Sequence, residues 1–383
     1  MKTVKKQTVG QASLALHKKL RGKVSITPKM KVKNRADLAL VYTPGVGTVS
    51  SYVAEHKDQM AEYTMKGNTV AVISDGSAVL GLGNIGPEGA LPVMEGKSML
   101  FKALAGIDAF PIVLATQDTE EIIRTVKNIA PVFGGINLED IAAPRCFEIE
   151  RRLQAELSIP VLHDDQHGTA LVVLSGLINA LKVAKKQPKK ITTVIAGAGA
   201  AGTAIAELLM LYGVGDVIMI DSQGIIHTKR ANLEPEKKRL AEKTNRTGRT
   251  GGLTEALVGA DVFIGVSKGG TVTEAHVASM APRAIVFALA NPIPEIMPDI
   301  AKRAGALVVA TGRSDFANQI NNSLGFPGIF RGALDHRVKR ITDAMLIKAA
   351  KNLAGLVKKP TAEHIMPNTF DKAVVEAVAK AIK

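Results

Sequence analysis

At 383 residues with 46% apolar content, the chain is long enough for two or three domains that each bury a core, and neither its composition nor any low-complexity tract points to disorder. The formal charge of +14 is concentrated: residues 1–36 carry eleven Lys or Arg and no acid, with no aromatic residue among them to stack on bases. That disfavours nucleic-acid binding and favours a solvated arm, or one packed on a second subunit. The single cysteine, Cys146, excludes an internal disulfide and reads as a small buried residue. No apolar stretch approaches bilayer-spanning length and no secretion-type apolar segment follows the Lys-rich start, so a cytoplasmic protein is expected.

In chain order, Leu14, Leu16 and Leu20 lie at helical spacing within 13–21. Tyr42-Thr-Pro44-Gly45-Val-Gly47 reads as a loop, and spacing alone favours a buried, hydrogen-bonded Tyr42. The run 69–74 is a buried parallel-type strand, followed by Asp75-Gly76 and Gly81-Leu-Gly83-Asn-Ile-Gly86. Those glycines resemble a phosphate loop, but no helix is expected straight after Gly86, which argues against one. The next helix is expected over 97–106, with Met99, Leu100 and Leu104 on its apolar face. Lys97 would then sit in a first turn, where the helix dipole disfavours its charge. Burial and a nearby metal ion would lower its pKa further and make it a usable base; a surface lysine is the alternative.

A strand over 107–114 and a helix over 119–130 lead to Phe133-Gly-Gly-Ile136 and the adjacent acids Glu139-Asp140. A helix over 143–157 follows. Then Ile159-Pro-Val-Leu162 runs into His163-Asp164-Asp165-Gln-His167-Gly168-Thr169 and a long apolar helix to about 183. Two consecutive parallel strands thus each deliver a pair of acids at their carboxyl ends, where open α/β sheets place ligands. Four converging carboxylates repel one another unless a hard divalent cation, Mg²⁺ or Mn²⁺, sits among them. Zinc on His163 and His167 is the rival, and it would need further nitrogen or sulfur ligands.

After the polar linker 185–190, residues 191–221 read as strand, glycine turn, helix, strand and acid. Gly197-Ala198-Gly199-Ala200-Ala201-Gly202 is a GxGxxG turn, with Asp221 nineteen residues after its last glycine. Gly197 suits the tight turn, Gly199 the approach of a pyrophosphate and Gly202 the closure of helix on strand. Strands are expected at 262–266, 285–288 and 307–310. Asn291 leaves the carboxyl end of one of them, beside the expected nicotinamide. Asn321-Asn322 precede a loop over 325–330 and helices over 341–356 and 371–380; such asparagines are usually turn formers. The fold class is therefore α/β: an N-terminal α/β substrate and metal domain over 1–162, then a Rossmann-like doubly wound parallel-sheet domain with C-terminal helices over 163–383.

Seven blocks in this order resemble a malic enzyme of the short bacterial and archaeal type: Tyr42-Thr-Pro-Gly-Val; Asp75-Gly76 with Gly81 to Gly86; Pro92-Val-Met-Glu-Gly-Lys97; Asn137-Leu-Glu-Asp140; His163 to Thr169; Gly197 to Gly202; and Ala288-Leu-Ala-Asn-Pro292. The resemblance implies that Glu139, Asp140 and Asp165 bind Mg²⁺ or Mn²⁺, that Lys97 is the general base supported by Asp164, and that Tyr42 is the general acid. It also implies that Ala198 to Ala201 and Asn291 hold NAD or NADP, that Asn322 and Asn321 touch L-malate, and that the chain is a homodimer. One departure is Ala78, where larger members carry a carboxylate-binding arginine.

The cofactor stays open between two choices. Asp221 alone suits NAD, since a carboxylate accepts the ribose 2′-hydroxyl and repels a 2′-phosphate. Ser222 and the downstream Lys229, Arg230, Lys237 and Lys238 could neutralise a phosphate, and Asp-Ser resembles the pattern of NADP-using members. The expectation leans slightly to NAD, with use of both. Rival functions are a malolactic-type enzyme releasing lactate, a nucleic-acid-binding protein and a non-catalytic dinucleotide sensor.

Overall fold

The computed structural model describes residues 8–79 and 81–383. Four helices come first: α1 (Val9–Leu20), α2 (Arg35–Val41), α3 (Gly45–Glu55) and α4 (Met60–Tyr63). Thr8 caps α1 with a capping box shared with Gln11, and Asn34 caps α2 by accepting from the Asp37 N–H. None of the four buries a residue. Tyr42, expected inside, is 65% exposed at the C-terminus of α2. Its surroundings are a sharp helix–helix turn rather than a loop, because α3 starts at Gly45, where a Cβ would lie 2.7 Å from the Ala39 carbonyl oxygen.

The next unit is a parallel sheet ordered β2-β1-β3-β4, built from β1 (Thr69–Ser74), β2 (Asp108–Val113), β3 (Gly135–Leu138) and β4 (Val161–His163). Every residue of β1 is buried, as a central parallel strand covered on both faces requires. The covering helices are α5 (Gly86–Ala105), α6 (Thr119–Ile129) and α7 (Arg145–Glu156). Helix α5 corrects two sequence expectations. It begins at Gly86, not Lys97, so a helix does follow the glycine-rich loop, and Lys97 lies in the helix interior, away from the positive dipole end. Gly89, Pro92 and Gly96 conceal the helix in the sequence, since an interior proline costs about 3 kcal/mol. Burial of Ala90, Met94, Lys97, Ser98 and Phe101 along one face overrides that propensity.

The larger sheet is ordered β10-β9-β8-β5-β6-β7 and is parallel apart from β7. It runs from α8 (Asp164–Ala184) through β5 (Thr192–Ala196), α9 (Ala200–Tyr212), β6 (Asp216–Asp221), β7 (Gly224–Ile225) and α10 (Pro235–Lys243). It continues with α11 (Leu253–Leu257), β8 (Val262–Gly265), α12 (Glu274–Ala278), β9 (Ile285–Ala288), α13 (Pro298–Arg303) and β10 (Val308–Thr311). The strand order reverses between β5 and β8, which creates the crevice where such sheets bind ligands. Three helices close the chain: α14 (Phe326–Asp335), α15 (Asp343–Ala354) and α16 (Lys372–Ala379). Helix α14 stands where a loop was expected over 325–330. Pro327 fits its first turn, and Phe326, Ile329 and Phe330 are fully buried. Phe326 meets Phe101 of α5 edge-on at 4.7 Å between ring centroids, so this helix returns to the first sheet.

Helix α8 is long and apolar enough, by length and composition, to cross a membrane, contrary to the sequence reading. In this fold it is a core element: Leu171, Leu174 and Leu177 are fully buried in the apolar cluster that joins the two sheets. Cys146 is also buried, and burial pushes its thiol up to about 12.

Candidate active site

The acids are delivered as parallel-strand geometry demands. Glu139 and Asp140 follow the last residue of β3, while Asp164 and Asp165 open α8 directly after β4, its neighbour in the sheet. One oxygen each from Glu139, Asp140 and Asp165 lies within 4.8 Å of the others. Among the described residues this is the only such cluster, and all its ligand atoms are carboxylate oxygens. The donor set therefore fits Mg²⁺ or Mn²⁺ rather than zinc. His163 and His167 do not join it: the His167 Nε2 lies 3.0 Å from Glu150 Oε2, and fully buried His163 is held down to about 4 by burial.

Lys97 reaches this cluster from α5. Its Nζ donates to Asp164 Oδ2 and lies 2.7 Å from Glu139 Oε1, with its side chain 7% exposed. The Phe326 ring lies 4.2 Å beneath the ammonium. Asn322 donates to the same Asp164 oxygen at 2.7 Å, and Asn137 donates to Glu139 Oε2 at 2.9 Å. Asp164 is fully buried, and its Oδ1 rests over Gly168, where a Cβ would come within 1.7 Å.

Burial raises the carboxyl groups, Glu139 to about 7 and Asp164 and Asp165 each to about 6, with Lys97 pulling the other way. For Lys97 burial works to lower the pKa, but Asp164, then Glu139 and Asp165, outweigh it and raise it. The lowering expected beside a bound cation is opposed in the metal-free site, where the surrounding carboxylates favour the charged lysine.

The glycine turn opens α9 as expected. Gly197 has φ +117° and a Cβ there would lie 2.7 Å from the Val266 carbonyl oxygen, while a Cβ on Gly202 would lie 1.8 Å from that of Gly197. Gly199, by contrast, has nothing within 4 Å of its Cβ position, so no protein contact explains it. A cleft of about 1570 Å³ is lined by Gly197, Ala198, Gly199, Asp221 and Ser222 and reaches Gln166 and His167 beside the acids. Asp221 is clamped by Arg230 at 2.6 Å and Lys237 at 3.1 Å. Burial works to raise its pKa, but the bonds from Arg230, the Gln223 N–H and Lys237 hold it below the usual range.

Not every candidate converges. Tyr42 projects to solvent, Asn321 caps the turn before α14 by accepting from the Ser323 N–H, and Asn291 lies outside the residues that line the cleft. The Asn291 carbonyl oxygen packs on Gly81, where a Cβ would come within 2.2 Å. That close approach accounts for a glycine in the loop that resembled a phosphate loop. Phe326 and Glu150 escaped the sequence reading, and Asn137 entered it only within a resemblance block, with no role of its own. Glu150 accepts from the His163 N–H and from Gln166, fixing the start of α8. Its only sequence signal was an acid on the otherwise apolar face of α7.

Two family models match: "Malic enzyme, N-terminal domain" over residues 21–121 and 115–154, and "Malic enzyme, NAD binding domain" over 166–382. The chain is 54% identical to the bifunctional malic/malolactic enzyme of Bacillus subtilis, covering 97% of this chain and 92% of that one. It is 44% identical to the NADP-dependent malic enzyme of Halomonas elongata, again covering 97% and 92%. The crystal structure of an NAD-dependent malic enzyme from Thermotoga maritima superposes with a TM-score of 0.94 at 48% identity, covering 97% of this chain and 98% of that one. The chain belongs to the malic enzyme family.

Proposed function

We propose that this chain oxidises and decarboxylates L-malate to pyruvate and CO₂ while NAD or NADP is reduced. The observation that carries this reading is the burial of Lys97 between Asp164 and Glu139, beside a three-carboxylate cluster. Glu139, Asp140 and Asp165 would hold Mg²⁺ or Mn²⁺, which when bound supplies positive charge for the substrate's C2 oxygen and C1 carboxylate. The nicotinamide of NAD(P) supplies the hydride acceptor.

Within that site Lys97 Nζ takes the C2 hydroxyl proton as hydride leaves C2, producing oxaloacetate. Asp164 aims the amine, and Asn322, bonded to the same oxygen, keeps Asp164 in place. Loss of CO₂ breaks the C3–C4 bond and leaves the enolate of pyruvate, and Tyr42 gives its proton to C3. Gly197 to Gly202, with Asp221 and Ser222, hold the dinucleotide, and Asn322, bonded to Asp164, lies on the substrate side. We assign 1–162 to catalysis and metal binding and 163–383 to the dinucleotide, with Asp164, Asp165 and Asn322 of the second part completing the catalytic site.

The clamp on Asp221 supports use of both cofactors. Arg230 and Lys237 offset the repulsion that a bare carboxylate would impose on a 2′-phosphate. A homodimer is supported by α1 to α4, none of which fully buries a residue in this chain and whose Leu14 and Leu40 are 75% and 73% exposed. Tyr42 sits on that surface, so it reaches an active site by crossing to a second copy. Replacing Lys97 with alanine tests the reading. Malate oxidation and pyruvate reduction should fall at least about 100-fold while NAD(P) binding persists, and near-normal turnover would reject the assignment.

A second reading, a malolactic reaction that keeps the cofactor bound and releases lactate, is favoured by the likeness to the bifunctional Bacillus subtilis enzyme. Product analysis with catalytic amounts of cofactor separates the two.

A further inference from the structure

A second charged cluster lies behind the acids and does no chemistry in the scheme above. Asp75, with no exposed surface, follows β1; Arg145 opens α7. Arg145 Nη2 donates to Asp75 Oδ2 at 2.9 Å and to Ser77 Oγ at 3.1 Å, while Ser77 Oγ donates to Asp75 Oδ1 at 2.5 Å. The same hydroxyl accepts the Ala142 N–H at 2.9 Å. The turn after β1 is thereby tied to the turn after β3, which carries Glu139 and Asp140.

That second turn has a reason to need tying. Asp140 has φ +53°, a left-handed conformation uncommon for a non-glycine residue, which persists here because its surroundings hold it. The enforcing bonds are visible on each side. Its N–H donates to Asp165 Oδ2 at 2.8 Å, and its carbonyl accepts the Ala78 N–H at 2.9 Å. Glu139 N–H is held by the Ile73 carbonyl at 2.8 Å. Ala78 belongs to the turn that Asp75, Ser77 and Arg145 stiffen, so a loosened clasp frees the backbone that aims the Asp140 carboxylate at its two partners.

We propose that Arg145, through Asp75 and Ser77, is a positioning residue that sets the affinity of the Glu139–Asp140–Asp165 site for its divalent cation. The inference rests on the metal reading above. It also gives the segment around Ala78 a role, since its backbone supports the ligand turn.

The test is direct Mn²⁺ binding, read from the electron paramagnetic resonance signal of free Mn²⁺, on wild type, Asp140→Asn, Arg145→Gln, Arg145→Lys and Ser77→Ala. Removing a group that orients ligands should raise the Mn²⁺ dissociation constant about 10- to 100-fold in Arg145→Gln and Ser77→Ala. Arg145→Lys, which keeps the charge, should recover part of the loss, and metal-free NAD(P) affinity should not move. If Arg145→Gln does not fold, Ser77→Ala decides, since it leaves the ion pair intact. Wild-type protein that binds no Mn²⁺, or binds it as weakly as Asp140→Asn, overturns the metal reading and this inference with it. Wild-type binding that Arg145→Gln and Ser77→Ala match within twofold overturns the clasp alone, even if both melt at lower temperature.

Discussion

Lys97 faces opposing demands. To accept a proton it must be neutral, yet Asp164, Glu139 and Asp165 raise its pKa in the metal-free site. The same carboxyls, raised to about 6 and 7 by burial, hold protons that a cation has to displace. Because these folded-state values lie above those of the unfolded chain, the native metal-free site binds the extra protons between about pH 4 and 7, and they are released as pH rises through 6 and 7. Mn²⁺ affinity should therefore strengthen about tenfold or more from pH 5.5 to 7.5. Isothermal titration at several pH values checks this, and a pH-independent affinity would contradict it. Arg230 makes a second prediction at this scale. Arg230→Ala removes a charge-assisted bond from Asp221, so kcat/KM for NADP should drop about tenfold while that for NAD changes less.

Glycines decide much at the scale of elements. Ala at position 202 would drive its Cβ into the Gly197 carbonyl, so Gly202→Ala should destabilise the fold by about 1–3 kcal/mol, read as a lower Tm. Gly199→Ala meets no protein atom and has φ −86°, so Tm should hold while NAD(P) affinity falls, read by cofactor fluorescence titration. Equal behaviour of the two variants would contradict the division of labour. The strand tips and the GxGxxG turn were legible because period and punctuation alone specify them. The starts of α5 and α14 were not. Gly86, Gly89, Pro92 and Gly96, like Gly325, Pro327 and Gly328, speak for a loop locally, and only burial of Phe101, Phe326 and Phe330 against one another makes helix the better outcome. Phe326, under the Lys97 ammonium, was hidden for the same reason: its place is set by contacts from distant parts of the chain.

Across the whole molecule, two unequal sheets share one apolar cluster through α8, and the acids at the start of that helix stand where the glycine cleft ends. Leu14, Leu16, Leu20 and Leu40 of the N-terminal helices stay exposed in the single chain. Inactive Tyr42→Phe and Lys97→Ala subunits, mixed and re-associated, should regain up to about a quarter of wild-type activity if each site draws its tyrosine from the partner copy, because random pairing makes half the dimers mixed and each mixed dimer holds one intact site. Activity that stays at background in the mixture would place both residues in one subunit's site. The measurement that reaches the central claim is a stoichiometry. With L-malate, Mn²⁺ and either cofactor, reduced nicotinamide and CO₂ should appear together, one for one, and both should vanish in Lys97→Ala. Reduced cofactor without CO₂, or lactate with no net reduction, would contradict the account.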